Sequence, residues 1–360
     1  MDGDRIHIDA DIGRASTLPA AVYRDPGWFE RQKERVFAPA WHFIGHSTRL
    51  GEPGASIPFT LLEGCLDEPL LLTRDGDAIH CVSNVCTHRG NLVCEEAATL
   101  RHLRCRYHGR RFALDGRFTS MPEFDGVEGF PSGADDLARL PLERWGPFLF
   151  TSLAPAVPFS EWIEPMRSRL GWLPVDALAF DPATSRDYEL DANWALYCDN
   201  YLEEFHIPYV HGQSLTGLDY GAYRTETFAW SNLQLGVATG GDAVFSPPAG
   251  HPDHGQPVGA YYWWLFPGLM FNFYPWGLSV NVVEPRSHAK TRVRFLSYVW
   301  DPAKRDAGVG SDLHRVEMED EAIVLAVGRG MRSRLYDRGR YSPRREVGTH
   351  HFHRLLAATM

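Results

Sequence analysis

Two short pairs of metal-capable side chains, Cys86-Thr87-His88 and Cys105-Arg106-Tyr107-His108, stand with sixteen residues between His88 and Cys105. Each pair offers one thiolate and one imidazole. A structural zinc site more often takes two cysteines from one half and two histidines from the other. A mixed pair on each of two loops suits a two-iron cluster, with both cysteines on one iron and both histidines on the other. Exchanging two thiolates for neutral imidazoles lowers the negative charge at the cluster and raises its potential. Gly90 and Gly109 follow the two pairs and allow a tight turn around such a group. The alternative is four satisfied side chains in a β core. The other cysteines, 65, 81, 94 and 198, are too few to staple 360 residues with disulfides, so reduced thiols or metal ligands are expected. Cys81 and Cys94, close to the pairs, read as small core residues.

Around these pairs, from about residue 40 to 155, short apolar runs alternate with turn signals. Residues 70–74 and 78–83 flank Asp75-Gly76, and residues 111–114 and 117–119 flank Asp115-Gly116. Asp-Gly between apolar runs predicts a hairpin, because both turn residues take positive φ. This stretch reads as a small all-β domain. Before it, Asp25-Pro26 supplies an N-cap and a proline for the first helical position, predicting a helix to about Val36. After it, a proline-rich junction (155–182) carries a short helix near 162–170, and a helix follows over about 193–206. Mixed sequence runs to about Gly259. A strand-rich stretch follows to Trp300, in which residues 278–284 and 291–300 alternate like half-buried antiparallel strands, and a last long helix begins near Ser311. The expected organisation is α+β: a segment 1–38 packed on the second domain, a β domain 39–155, and a second domain 156–360.

Composition narrows the partners. With 36 basic against 46 acidic side chains the formal charge is −10, and there is no Lys/Arg run, which argues against nucleic acid or an anionic membrane surface. No apolar run reaches the roughly 18 residues of a membrane span, and the first residues lack signal-peptide character, so a cytoplasmic protein is expected.

A second constellation lies in the second domain. His206 and His211 are five apart, a spacing that does not share a helix face. Pro208 should push Ile207 out of helical geometry, so that His206 closes the helix and His211 returns from the following loop toward the same ion. Paired surface histidines are the alternative. A carboxylate third ligand is expected from the last helix. Leu313, Val316, Ile323 and Val327 recur as an apolar stripe, Asp320 falls inside it, and Glu319 and Glu321 point away. A carboxylate on a buried face is costly unless paired or bound to metal, so the alternative is a salt bridge beneath the helix. Two histidines and one aspartate form the facial triad of non-haem Fe(II) oxygenases, which leaves positions open for dioxygen.

The cluster spacing resembles the Rieske [2Fe–2S] motif. Respiratory-chain Rieske proteins carry an extra cysteine in each loop, joined as a disulfide; Asn91 and Tyr107 stand in those neighbourhoods here, which matches the oxygenase type. Taken together, the two constellations resemble the Rieske non-haem iron oxygenases, as their large catalytic (alpha) subunit. The resemblance covers nearly the whole chain: Tyr23-Arg24-Asp25-Pro26 leading into Trp41, the cluster loops, residues 199–211 and the surroundings of Asp320 occur in the family's order.

That resemblance implies an N-terminal all-β Rieske domain and a C-terminal helix-grip catalytic domain, an antiparallel sheet wrapped around a long helix. It implies a [2Fe–2S] cluster on Cys86, His88, Cys105 and His108, and a mononuclear iron on His206, His211 and Asp320. It also implies a homotrimer in which His108 of one subunit meets Glu203 of the next, with Glu203 as the electron-transfer bridge. A solvated helix face is the alternative for Glu203, and its neighbour Glu204 fits that description. Dioxygen, a small-molecule substrate and electrons from NAD(P)H through a separate reductase or ferredoxin complete the implied partners, since the chain has no flavin- or nicotinamide-type glycine-rich fingerprint.

Glutamate at the bridge resembles the choline, carnitine and glycine betaine branch rather than ring dihydroxylases. The stretch Cys198-Asp199-Asn200-Tyr201-Leu202, in which Asn200 is a candidate catalytic residue, and the ending His350-His351-Phe352-His353 resemble the same branch. The implied activity is hydroxylation of an N-methyl or quaternary amine with oxidative N-demethylation. An aromatic-ring-hydroxylating dioxygenase or O-demethylase would use the same iron sites, and a Rieske electron-transfer protein would need only the cluster. Arg110, where the family usually has tryptophan, and Gly328, where glutamine is common, depart from the pattern. Nine of the sixteen residues from Tyr261 to Trp276 are aromatic, and Trp264, Phe266, Phe271 and Phe273 are candidates for a substrate pocket suited to a cation or an arene. Ordinary sheet core is the alternative for them.

Overall fold

The computed structural model describes residues 6–360 except 213, 216, 241–242, 306–309 and 311–312. The chain forms two compact units, one of Trp41–Pro155 and one joining the residues up to Ala40 with Ala156–Met360.

The first unit is built from antiparallel β-sheets. A five-stranded sheet runs in the order Ala98–Thr99, Ala55–Leu61, Glu68–Asp75, Ala78–Ser83 and Arg139–Leu140. Asp75 pairs with Ala78, so the two turn residues are Gly76 and Asp77, one step later than the Asp75-Gly76 expected from sequence. Gly76 takes the left-handed φ of +60° that the turn needs. A three-stranded sheet of Leu103–Arg104, Arg111–Phe112 and Phe118–Ser120 carries the second predicted hairpin, shortened to its outer residues. Between these layers lies a core of Leu71, Val82, Leu103, Phe112, Leu114 and Leu137, into which Cys86, Cys94 and Cys105 are also packed.

In the second unit a helix α1, Pro26–Gln32, starts where expected: the Asp25 side chain accepts from the Gly27 N–H at 2.8 Å and proline opens the first turn. It continues as a wider π-type turn over Lys33–Phe37. The unit's sheet has seven antiparallel strands: β1 (Ala179–Leu190), β2 (Arg224–Thr227), β3 (Ser231–Val237), β4 (Val258–Leu265), β5 (Leu269–Tyr274), β6 (Gly277–Ser287) and β7 (Lys290–Val299). Their order is β1-β7-β6-β5-β4-β3-β2, so only the β1–β7 neighbourhood departs from a simple meander. The strand-rich stretch expected from about Gly259 to Trp300 holds β4 to β7, whereas β1 to β3 lie where the sequence predicts no strand. Helix α2 (Phe159–Leu170) packs on β4, and helix α3 (Trp194–Tyr201) lies against β6 and against the long helix α5 (Leu313–Gly330). A short helix α4 (Ile207–Val210) falls between α3 and α5 in sequence, and α6 (Val347–Thr359) closes the chain. The expected start of α5 near Ser311 lies outside the described residues.

Trp194, Trp263, Trp264 and Trp276 are fully buried and anchor this sheet and its helices. Truncating one such ring to alanine costs about 3–5 kcal/mol. Among the described residues no helix is long and apolar enough to cross a membrane.

Candidate functional site

The two cluster loops are built alike. In each, the cysteine N–H donates to a carbonyl five residues on, and the N–H four residues on donates back to the cysteine carbonyl: Cys86 with Asn91 and Gly90, Cys105 with Arg110 and Gly109. Gly90 and Gly109, at φ +71° and +76°, close these turns where a side chain would be strained. The Asn84 side chain clamps the base of the first loop, donating to the Cys94 carbonyl at 2.7 Å and accepting from the Cys94 N–H at 2.9 Å. Together the loops bring the Nδ1 atoms of His88 and His108 to 3.2 Å from one another. Burial, with Cys105 alongside, pushes the Cys86 thiol up, and the Asn91 amide donates toward the Cys105 sulfur at 3.6 Å. Two imidazoles converging through the same nitrogen, beside two buried sulfurs, fit a Cys₂His₂ cluster of the Rieske kind. Cys81 is a different case: burial raises its thiol to about 11, so it stays protonated in the core.

In the second unit, α3 ends at Tyr201 rather than continuing to His206. Pro208 does not break a helix here. It sits in the first turn of α4, where a missing N–H costs nothing, and His206 and His211 flank that turn as its caps. Asp320 reaches them from α5. Its Oδ1 lies 2.9 Å from His211 Nε2 and 3.4 Å from His206 Nε2, and one ligand atom from each of the three residues lies within 4.8 Å of the others.

The outer nitrogens are held by carboxylates. His206 Nδ1 meets Glu203 Oε1 at 2.6 Å, and His211 Nδ1 meets Glu319 Oε2 at 2.8 Å. Carboxylate–histidine pairs of this kind fix the ring of a metal ligand and raise its basicity. Burial works against a charge on His211, but Asp320 and Glu319 outweigh it and raise the imidazole above its usual value. Glu319 in turn is held low, first by His211 and then by the Ser214 hydroxyl.

Three expectations need correction. Glu319 does not point away; with Asp320 it grips the buried His211 ring from consecutive positions of α5, about 100° apart around the helix. The apolar stripe does not mark the buried face, because Ile323 and Val327 are 38% and 39% exposed, whereas Glu317, Val324 and Glu321, which does not point away either, face inward. Glu204 is not solvated: it is buried and paired with Arg345 at 3.3 Å.

A cavity of about 450 Å³ opens beside His206, His211 and Asp320. Its wall includes Tyr197, Asn200, Tyr201, Tyr223, Tyr262, Tyr274 and Phe295, with Gln234, Asn272, Asn281, Glu203 and Glu317. Burial pushes the phenols of Tyr201, Tyr223, Tyr262 and Tyr274 up, so they remain neutral. Burial, reinforced by the charge of Asp320, also pushes Glu317 well above the usual carboxylate range, and Tyr197 donates to it at 2.8 Å.

None of the pocket candidates Trp264, Phe266, Phe271 and Phe273 is on that wall. Side chains alternate along a strand. On β5, Asn272 and Tyr274 face the cavity, while Phe271 and Phe273 stack with each other on the opposite side. Trp264 shares a face with Tyr262 but lies further along β4, edge-on to Phe352 and Phe266. Gly328 is also off the wall; it brings α5 against Ala192 and Leu196.

Residues 40–131 match the Rieske [2Fe–2S] domain, and residues 178–360 match the catalytic domain of the ring-hydroxylating alpha subunit. A choline monooxygenase of Arabidopsis thaliana is 32% identical over 96% of this chain and 83% of its own length. The carnitine monooxygenase oxygenase subunit of Escherichia coli K12 is 27% identical over 97% of this chain and 95% of its own. Among solved structures, a quaternary ammonium Rieske monooxygenase bound to L-carnitine superposes with a TM-score of 0.78 at 23% identity, covering 99% of both chains. Naphthalene 1,2-dioxygenase from Rhodococcus sp. does so at 0.72 and 18%, covering 95% of this chain and 93% of its own; these two likenesses speak for the fold. The chain therefore belongs to the Rieske-type oxygenases, a family of oxidoreductases, and its second unit carries the catalytic domain of their alpha subunits.

Proposed function

We propose that this oxygenase acts on a small cationic amine, hydroxylating a carbon bonded to nitrogen, with oxidative N-demethylation where that carbon is a methyl group. The observation that carries this reading is the cavity wall. Five tyrosines and a phenylalanine line it with the carboxylates of Glu203 and Asp320 and the neutral carboxyl of Glu317, and neither lysine nor arginine does so among the described residues. Aromatic faces attract a quaternary or protonated amine, more strongly where water is excluded. The relatives named for choline and carnitine support the same substrate class.

In this reading Cys86, His88, Cys105 and His108 hold the [2Fe–2S] cluster, and His206, His211 and Asp320 hold iron. When bound, these groups supply single electrons and the activation of dioxygen. The residues do the rest. Glu203 and Glu319 keep both Nε2 atoms aimed inward, and the tyrosines hold the amine beside the triad and keep water away. Asn200, on the same wall, contacts the substrate. Hydroxylating an N-methyl carbon uses one dioxygen, two electrons and two protons and releases water. The product then loses formaldehyde: the hydroxyl gives up its proton and the C–N electron pair stays on nitrogen.

Glu203 has a second role, as the hydrogen-bonding bridge between His206 and His108 of a neighbouring subunit in a homotrimer, across which electrons pass from that subunit's cluster to this subunit's iron. A separate reductase or ferredoxin supplies those electrons from NAD(P)H. The four cysteines outside the cluster, Cys65, Cys81, Cys94 and Cys198, are unpaired thiols, which suits a reducing compartment such as the cytoplasm.

The test is a product assay over a panel of N-methyl amines and arenes with dioxygen and an electron donor. Formaldehyde in step with amine consumption supports the proposal. A cis-diol from arenes, with no amine turnover, would overturn it in favour of a ring dioxygenase.

A further inference from the structure

The two loops that carry Cys86, His88, Cys105 and His108 share a neighbour that the mechanism does not use. Arg110 follows the second loop, and its own carbonyl accepts the Cys105 N–H at 2.8 Å. Its side chain turns inward and is 2% exposed. The guanidinium carbon lies 5.0 Å from the ring centre of Phe118, 5.5 Å from Phe130 and 5.8 Å from Phe112. One terminal nitrogen donates to Asp135 Oδ1 at 2.5 Å and to the Asp135 carbonyl at 3.3 Å. That same carbonyl accepts the hydroxyl of Thr87 at 2.8 Å, and Thr87 stands between Cys86 and His88. Arg110 is thereby tied to both ligand loops.

A buried cation in an aromatic nest is costly, and an apolar side chain would fill the space without the desolvation penalty. Asp135 offsets the charge only in part. Its side chain is 20% exposed, against 2% for Arg110, so the carboxylate lies toward water while the guanidinium lies in the core. The field that reaches the loops is that of the cation. A cluster held by two thiolates and two neutral imidazoles is formally neutral when oxidised and singly negative when reduced. A nearby fixed positive charge favours the reduced form, since net charge and the surrounding dielectric are what set such potentials.

We propose that Arg110 is a potential-setting residue, whose buried guanidinium raises the reduction potential of the cluster bound by Cys86, His88, Cys105 and His108, with Asp135 as its counterweight. Among the described residues the hydrogen bonds of the Arg110 guanidinium go to Asp135 and not to a ligand atom, so its action on the cluster is through space. The inference rests on the cluster assignment and is independent of the substrate.

The experiment is a redox titration of the full-length, cluster-loaded protein, followed by the EPR signal of the reduced cluster, for wild type, Arg110→Met, Arg110→Lys and Asp135→Asn. A wild-type protein without that signal would refute the cluster assignment itself, before any variant is compared. With the signal present, Arg110→Met lowers the midpoint potential, Arg110→Lys stays near wild type, and Asp135→Asn raises it. The opposite signs separate this role from a structural one, because loosening the loops would move both variants the same way. An unchanged potential in Arg110→Met overturns the proposal. If that variant loses its cluster, Asp135→Asn decides: a potential that is unchanged or lowered overturns the proposal equally.

Discussion

Replacing Glu319 by glutamine tests whether the outer carboxylate found on α5 holds the iron site together. His211 is 1% exposed, and its Nδ1 has Glu319 as partner at 2.8 Å. Glutamine keeps an acceptor of similar reach but removes the charge that makes this hydrogen bond strong. Loss of such an outer partner costs about 10–100-fold in metal affinity. Because the amide oxygen still accepts, Glu319→Gln belongs near the lower limit, about tenfold or 1.4 kcal/mol. Glu319→Ala leaves a buried N–H unpaired and belongs near the upper.

The pH dependence carries a sign. In the metal-free protein Asp320 and Glu319 raise the His211 imidazole above its usual value, so iron must displace a proton, and affinity falls as pH drops through that raised value. Removing one of the two carboxylates lowers the imidazole, so the fall should move to lower pH. The assay is competition for Fe(II) against a chelator, with the cluster absorbance as an internal standard. An affinity and pH profile identical to wild type, in a folded protein with its cluster intact, would refute the role assigned to Glu319.

Glu203→Gln leaves one acceptor oxygen where Glu203 uses two, one for the Phe205 and His206 N–H groups and one for the His206 ring, so iron affinity should fall by about tenfold with the cluster retained, and turnover at saturating iron should still fall by about tenfold or more; metal analysis with oxygen uptake checks this. Tyr262→Leu should raise KM for a cationic amine by about 2- to 30-fold, the range of a desolvated cation–π contact. Phe271→Leu, on the other face of the sheet, should leave KM unchanged and lower stability by about 1 kcal/mol, read by steady-state kinetics and denaturant unfolding. His351 is lowered from the usual 6.5 to about 4, chiefly by burial. Its contribution to stability is therefore full above the unfolded value and lost as pH falls from 6.5 toward 4, by up to about 3 kcal/mol. His351→Gln should flatten that part of the stability–pH curve, as measured by denaturant unfolding at several pH values.

The two Cys/His loops are legible in the sequence because their chemistry is local: each pair lies within four consecutive residues, and glycine marks each turn. His206, His211 and Asp320 could be singled out one by one, but what aims them could not. Glu319 pairs with a histidine 108 positions away, and no spacing within α5 betrays that. The phase of α5 is hidden because two of its three buried residues, Glu317 and Glu321, are acidic and only Val324 is apolar, so hydrophobic periodicity points to Ile323 and Val327 instead. The cavity wall failed for the opposite reason. Between Tyr261 and Trp276 both faces of the sheet are aromatic, so a period of two gives no contrast, and the residues that face the cavity on β5, Asn272 and Tyr274, are the less apolar of the run.

Metal and sulfide analysis of anaerobically purified protein, wild type beside Asp320→Ala, bears most directly on the claim that a cluster and a separate iron reside in one chain. The expected result is about three irons and about two acid-labile sulfides per chain in wild type, with about one iron lost, and the cluster's EPR signal unchanged, in the variant. The same iron content in both proteins, or zinc in place of iron and sulfide, would contradict the account.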